Sequence, residues 1–378
     1  MRAAVPREIA PGERRVAVVP DILPRLGAAG IEVTIEAGAG EAALQSDESY
    51  TARGATVAPD LAALYADADV ICKVQAPSPA EAGQMPAESV IVSMLQPTAN
   101  LDLIRTFVER RITAFSLDLL PRISRAQAMD SLSSQATVSG YRAALIAASD
   151  LPRFFPMFMT AAGTVPPAKV LVLGAGVAGL QAIATARRLG AVVRAFDVRQ
   201  ASRDEVRSLG ATFVELELEA QEGSGGYAVE QSEDFLRRQR ELIGKEVAAA
   251  DAVITTAAIP GRRAPVLITA DMVGEMRPGS VIVDLAAESG GNCELSKAGE
   301  TVMAGQVSIY GARNLPSSMP VHASFLYSRN IAEVLGLMTH DGVFSPDFDD
   351  EIVSATCVTH EGEVRHAPTA ELLDGGTT

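Results

Sequence analysis

The sequence predicts an α/β protein with two doubly wound parallel sheets, the first interrupted in sequence by the second. Three observations lead there. Short apolar runs alternate with stretches of helical period. The alternation restarts after a breaker-rich junction, PMFMTAAGTVPPAK. A glycine-rich turn follows the first apolar run of the restarted pattern. The 378 residues are too many for one compact α/β core and suit two. The composition, 48% hydrophobic with 4% aromatic and no Trp, fits strands buried on both faces and closely packed helices.

In the N-terminal stretch the candidate strands are Arg2–Val5, Glu32–Glu36, Val70–Val74, Val90–Met94 and Thr113–Leu117. Helical stretches fall between them at Pro20–Ala29, Leu61–Ala66 and Leu101–Arg110. This β–α–β order implies a parallel sheet with right-handed crossovers. Val138–Ser149 reads as a long helix. The second set of strands begins at Lys169–Leu173 and continues at Ala191–Phe196, Ala211–Leu216, Ala252–Thr256, Ser280–Leu285 and Val307–Tyr310. His322–Met338 reads as a helix, followed by a polar, acidic tail with a strand-like piece at Val353–Val358. A late helix of this kind crosses back to the first domain. The expected division is therefore 1–138 plus 322–378 for the first domain and 139–321 for the second.

Composition also excludes function classes. A formal net charge of −15 repels phosphate backbones and anionic membrane surfaces, so neither nucleic acid nor direct membrane insertion is expected. The N-terminus lacks an apolar signal core, and no stretch approaches the roughly eighteen apolar residues that span a bilayer. A cytoplasmic location follows, with any membrane association running through a protein partner. Cys72, Cys293 and Cys357 are far apart and read as buried thiols in a reducing compartment. His322, His340, His360 and His366 match no ligand spacing, and no metal is expected.

The strongest chemical signal is Gly174-Ala175-Gly176-Val177-Ala178-Gly179, between the apolar strand ending at Leu173 and a helix over Val177–Leu189, with the next strand ending at Asp197. In this Rossmann-type arrangement the first glycine permits a tight turn. The second lets a pyrophosphate approach the backbone, and the third allows helix and strand to pack closely. The helix N-terminus stabilises phosphate through its free N–H groups and dipole. A carboxylate at Asp197 accepts ribose hydroxyls and repels a 2′-phosphate, which favours NAD(H) over NADP(H). Val198 and Arg199 flank it, and the Arg199 cation weakens that repulsion. The turns after the later strands, Ala257 with Ile259-Pro260-Gly261 and Glu288-Ser289-Gly290-Gly291-Asn292, lie where such sheets bind ligands, and equally read as plain turns. A second glycine pair, Gly38-Ala39-Gly40, lacks the acidic strand end and reads as a structural turn.

The segments VTIEAGAGEAALQSDESYTARGA and VLGAGVAGLQAIATARRLGAVVRAFDVR resemble two signatures shared by alanine dehydrogenases and transhydrogenase alpha subunits, a likeness that runs through nearly the whole chain. The alanine dehydrogenases of this family carry a Lys and a His that orient and polarise the keto acid. Aligned on CKVQAP and VSMLQPT, those positions hold Gln75 and Gln96, an Asp position holds Glu288, and Arg15 is retained. A glutamine neither donates nor accepts a catalytic proton at neutral pH. Oxidative deamination needs such a group, whereas hydride transfer from one nicotinamide ring to another needs only two rings held face to face and dry.

LLPRISRAQAMDSLSSQATVSGYRAA resembles the transhydrogenase loop beside the nicotinamide, whose Arg, Gln and Asp match Arg122, Gln127 and Asp130, with Ser133 following. From residue types alone the same stretch reads equally as a helix start capped by Asp130 or Ser131, with Arg122 and Arg125 solvated. The polar, Gly-rich insertion around EAQEGSGGYAVEQ reads as a lid and is similar to the family's mobile loop that closes on the nucleotide, whose Tyr matches Tyr227; a disordered surface insertion is the alternative. The resemblance implies an NAD(H)-binding subunit and a homodimer, in the split form where alpha is two polypeptides. It implies membrane-integral transhydrogenase partners (the second alpha polypeptide, and a beta subunit carrying NADP(H)), with the chain peripheral to the inner membrane and hydride transfer coupled to proton translocation. An alanine dehydrogenase-like oxidoreductase and an NAD-binding regulatory module are the alternatives.

Overall fold

A computed structural model describes residues 1–215, 233–258 and 263–375. The chain separates into two compact units, Met1–Gln135 with Ser317–Thr378, and Ala136–Pro316.

The first unit opens with six strands, β1 (Arg2–Val5), β2 (Glu32–Glu36), β3 (Thr56–Ala58), β4 (Val70–Gln75), β5 (Val90–Met94) and β6 (Thr113–Ser116). The second holds a hairpin of β7 (Phe158–Thr160) and β8 (Gly163–Val165), then β9 (Lys169–Leu173), β10 (Val192–Phe196), β11 (Thr212–Phe213), β12 (Ala252–Thr255), β13 (Val281–Asp284), β14 (Thr301–Ala304) and β15 (Val307–Gly311). Back in the first unit come β16 (Thr339–His340), β17 (Val343–Phe344), β18 (Cys357–His360) and β19 (Glu363–Val364).

The first sheet runs β19-β18-β6-β5-β4-β1-β2-β3, and β1 to β6 are mutually parallel. Its order reverses between β1 and β4. Val70, Ile71, Cys72 and Val74 are all sealed, as expected of a strand covered on both faces. One face packs on the helix Pro320–Leu337, which contributes Tyr327, Ile331, Val334 and Leu335 to the core of this unit. The second sheet runs β11-β10-β9-β12-β13-β15-β14, parallel except for the edge strand β14, and reverses between β9 and β12. Its strands β12 and β13 are buried throughout.

Besides short strands that the sequence does not predict, among them β3 and β14, three segments depart from the sequence expectation. The helix expected from Val138 begins at Ser131 and runs to Asp150, because the Asp130 carboxylate accepts the Ser133 N–H at 2.9 Å and caps its first turn. The junction after Pro156 is not plain turn but the β7–β8 hairpin. Most of Val353–Val358 is helical. Asp350 accepts the N–H groups of Ile352 and Val353, which starts the helix Glu351–Thr356 despite its β-branched residues. The strand begins only at Cys357, and β18 closes the first sheet antiparallel to β6. The tail is therefore integral to the core: Ile352, Val353 and Val358 are buried. A buried apolar face overrides a local propensity of a few tenths of a kcal/mol per residue.

Candidate functional site

The second unit places the glycine turn at the carboxyl end of β9, beside the point where strand order reverses. The helix Val177–Arg188 starts immediately after it, with Gly176 in extended backbone at the N-cap and no side chain capping it. Its first-turn N–H groups lack helical partners, and its last turn carries Arg187 and Arg188, so charge follows the dipole.

Two of the three glycines are dictated by the protein. Gly174 has φ +99°, and a Cβ there would meet Thr256 Oγ1 at 2.6 Å. A Cβ on Gly179 would lie 1.9 Å from the Gly174 carbonyl oxygen, closer than any nonbonded contact allows. Gly176 differs: its φ is −77°, and no described atom lies within 4 Å of the Cβ position. The turn at Gly38-Ala39-Gly40 contrasts with it. There the Tyr50 ring and the Gln45 carbonyl fill the space beside Gly40, and the Gly38 N–H is bonded to Asp47.

Asp197, at the end of β10, is bonded into this turn. Its Oδ2 accepts the Ala175 N–H at 2.7 Å, and Oδ1 accepts the Arg199 N–H at 2.8 Å. The Arg199 guanidinium also reaches the carboxylate, from Nε and Nη2, both at 3.0 Å. Val198 is half-buried against the core cluster that includes Phe196 and Ile243. Ala257 follows β12, and both its backbone groups are held by the buried Asn292 amide, which accepts from its N–H at 3.0 Å and donates to its C=O at 2.8 Å. The Asn292 loop is in turn fixed by the fully buried Asp284, which accepts from Thr255, Ala286, Cys293 and Ser296. The sequence displays the GGN turn but not this double clamp; its signal is a carboxylate ending an apolar strand. Ala257 and the glycine turn thus sit together with Asp197 and Arg199. Tyr227 and Pro260, with Ile259 and Gly261, lie outside the described residues.

The remaining expected residues belong to the first unit. Arg122 and Gln127 are exposed, Gln127 on the short 3-10 helix Ser124–Met129. Asp130 and Ser133 are joined by the helix cap, with the Ser133 hydroxyl as well as its N–H donating to the carboxylate. Arg125 is paired with Asp350.

The positions aligned with the alanine dehydrogenase acid–base residues carry a different arrangement. Arg15, 3% exposed, donates Nε and Nη2 to the two oxygens of Glu13 at 2.8 and 2.7 Å, and Nη1 to Gln135 at 2.9 Å. Gln75 donates its amide to Glu13 at 2.9 Å. The Ser317 hydroxyl donates to the same carboxylate at 3.0 Å. Gln96 is exposed at φ +46°, with its N–H on Asp118. Glu288, in the second unit, accepts the Asn314 N–H. Next to Gln75, the buried Lys73 lies 3.2 Å from both Glu8 and Glu81. Burial pushes the Glu8 carboxyl above its ordinary range, and Lys73 opposes the rise. Burial disfavours the Lys73 charge, yet the two carboxylates hold it above the usual lysine value. Among the described residues no group of His, Cys, Asp and Glu is arranged to hold a metal ion.

The model for Alanine dehydrogenase/PNT, N-terminal domain, matches residues 4–139, and that for Alanine dehydrogenase/PNT, C-terminal domain, matches residues 143–367. The chain belongs to the alanine dehydrogenase/PNT family. Within it, the chain is 47% identical over 376 residues to the first polypeptide of the divided NAD(P) transhydrogenase subunit alpha of Rhodospirillum rubrum, covering 97% of this chain and 98% of that one. It is 46% identical to the NAD(P) transhydrogenase subunit alpha of Cereibacter sphaeroides, over 97% of this chain and 72% of that one. A crystal structure of transhydrogenase from Sinorhizobium meliloti superposes with a TM-score of 0.88 at 43% identity, over 96% of this chain and all of that one. Two Rossmann-like α/β units are the family fold.

Proposed function

We propose that this chain is the NAD(H)-binding subunit of a proton-translocating NAD(P)+ transhydrogenase. NADH bound here supplies the hydride, and NADP+ on a partner subunit receives it. The observation that carries the reading is the state of Arg15 and Gln75. A keto-acid dehydrogenase of this family needs an acid–base group and a cation open to substrate. Here the aligned positions are a glutamine amide and a guanidinium bonded to Glu13 and Gln135. Ring-to-ring transfer has no need of a proton donor.

The chain's own groups fit a dinucleotide. The free N–H groups at the start of Val177–Arg188 suit a pyrophosphate, and the open space beside Gly176 is where a phosphate reaches backbone. Gly174, Ala175, Val177, Ala178 and Gly179 shape that cradle, Asp197, Val198 and Arg199 form its ribose corner, and Ala257 forms a wall. Pro260 and Tyr227 are assigned to nucleotide binding by family resemblance alone. Arg122, Gln127, Asp130 and Ser133 are assigned to positioning the nicotinamide and the second nucleotide. A Gln amide bonds ribose hydroxyls or a carboxamide, and neither it nor a capped Asp130 moves a proton.

Among the described residues no helix is long and apolar enough to cross a membrane. By family resemblance, proton movement is assigned to membrane-integral partners, the second alpha polypeptide and the beta subunit, with this chain peripheral to them on the cytoplasmic side. A homodimer is supported by the β7–β8 hairpin of the second unit. Phe158 and Met159 on it, and Phe154 and Met157 just before it, are exposed, Met159 by 77%. Apolar patches of that kind mark protein contacts.

The test is an assay of the purified chain with NADH and an NADP+ analogue, with and without the NADP(H)-binding partner, beside L-alanine plus NAD+. Reduction of the analogue only when the partner is present is expected. Alanine-dependent NADH formation by the chain alone would replace this reading with the dehydrogenase.

A further inference from the structure

The Asp197 carboxylate, 8% exposed, accepts four hydrogen bonds from the described residues: from the N–H groups of Ala175 and Arg199, and from Nε and Nη2 of Arg199. An ionised carboxylate has about four acceptor positions, so the chain itself fills them. Two of these bonds are backbone and belong to the turns that follow β9 and β10. The other two come from one side chain, planar and forked, on a residue whose side chain is 27% exposed. A ribose diol donating to Asp197 needs two acceptor positions. Only the Arg199 fork can leave them without unmaking the turn.

We propose that Arg199 is a shutter on the ribose-binding carboxylate: the fork it makes on Asp197 is displaced when the adenosine ribose docks. This rests on the nucleotide reading above and adds a specificity-determining role to it. The pair holds its geometry through a two-residue loop, so the fork re-forms whenever the ribose leaves. Once off the carboxylate, the guanidinium stays at the ribose corner as a planar cation, the group best suited to a 2′-phosphate. Arg199 therefore opposes NADH binding, because its bonds to Asp197 must break. It favours NADPH binding, because it screens Asp197 and offers the phosphate a partner. A residue that only stabilised the loop would shift both nucleotides in the same direction.

The experiment titrates NADH and NADPH separately, by nucleotide fluorescence, into the purified full chain, its Arg199→Met variant and its Arg199→Lys variant. Thermal melting of each confirms the fold. Arg199→Met is expected to bind NADH about two- to tenfold more tightly, the range for a partly exposed charge-assisted bond pair, and to bind NADPH more weakly. Arg199→Lys, with one donor point in place of a fork, is expected to fall between. Should Arg199→Met not fold, the same ordering in Arg199→Lys against the parent chain decides the question. Unchanged or weaker NADH binding in the variants would overturn the shutter while leaving the nucleotide site standing. No NADH binding by any of the three chains would overturn the nucleotide reading and the shutter together.

Discussion

Alanine placed at Gly176 and at Gly179 separates what the fold requires from what a ligand requires. At Gly179 the new Cβ would lie 1.9 Å from the Gly174 carbonyl oxygen and 2.9 Å from its carbon, both backbone atoms. The helix Val177–Arg188 must then move off β9. Overpacking of that kind costs about 1–3 kcal/mol, and more where backbone is the obstacle. For a unit of this size each kcal/mol lowers Tm by about 2–4 °C, so a fall of several degrees is expected. At Gly176 the backbone already has φ −77° and no described atom stands within 4 Å. The entropy lost by the unfolded chain there favours folding by about 0.4–1 kcal/mol, and the poorer N-cap preference of alanine offsets it by a similar amount. Stability should be nearly unchanged. Nucleotide affinity should not be, because the methyl group occupies the approach to the helix N-terminus. Losing a hydrogen bond to a charged phosphate costs about 1.5–3 kcal/mol, or roughly a ten- to hundredfold rise in Kd. Calorimetry and NADH titration of the two variants read both effects. NADH binding by Gly176→Ala at the parental Kd would refute the assignment of that space to a pyrophosphate. A Gly179→Ala chain melting at the parental temperature would refute the packing argument.

Other expectations follow from the same structure. Gln127→Asn should slow hydride transfer with little change in NADH affinity, since an exposed amide positions rather than anchors; single-turnover kinetics beside a binding titration would expose an equal loss of both. Lys73→Met leaves Glu8 buried without its cation and should destabilise the first unit by about 3–5 kcal/mol at neutral pH. Glu8 already has a raised carboxyl pKa in the folded chain, so its contribution is greatest below the unfolded value and falls as pH rises through the folded one. Removing Lys73 raises that value further, so the deficit in urea unfolding should widen from pH 5 to pH 8, and Lys73→Met with Glu8→Gln should recover some of it. A deficit independent of pH would show that packing, not charge, explains the loss. Burial pushes the Cys72 thiol up to about 12 and those of Cys293 and Cys357 up to about 11. All three should resist alkylation at pH 8 in the native chain and react once it is unfolded; labelling of the folded protein, read by mass, would contradict their burial.

Two parallel sheets and most strand positions are legible in the amino-acid order alone. Continuous Val/Ile/Leu runs such as Lys169–Leu173 and Ala252–Thr255 have no other way to bury both faces. The glycine turn with Asp197 is equally legible, because strand, turn and helix lie within one short stretch and Gly174 and Gly179 each have a local steric reason. Gln75 and Gln96 are read in the same way, as standing where the resemblance places the acid–base pair of the family's dehydrogenases. The rest depends on contacts between distant segments. The tail packs into the first sheet because Ile352, Val353 and Val358 meet a core assembled largely from residues more than two hundred positions earlier, and period alone carries no such information. Arg15 keeps its identity but is bonded to Gln135 and to Glu13, which also accepts from Gln75, so the cluster is gathered from three separate segments. Arg199 is legible as a neighbour of Asp197, but not as a fork on it. Which bonds a charge makes depends on side-chain direction and on desolvation, and both are set only when the turns after β9 and β10 are brought side by side.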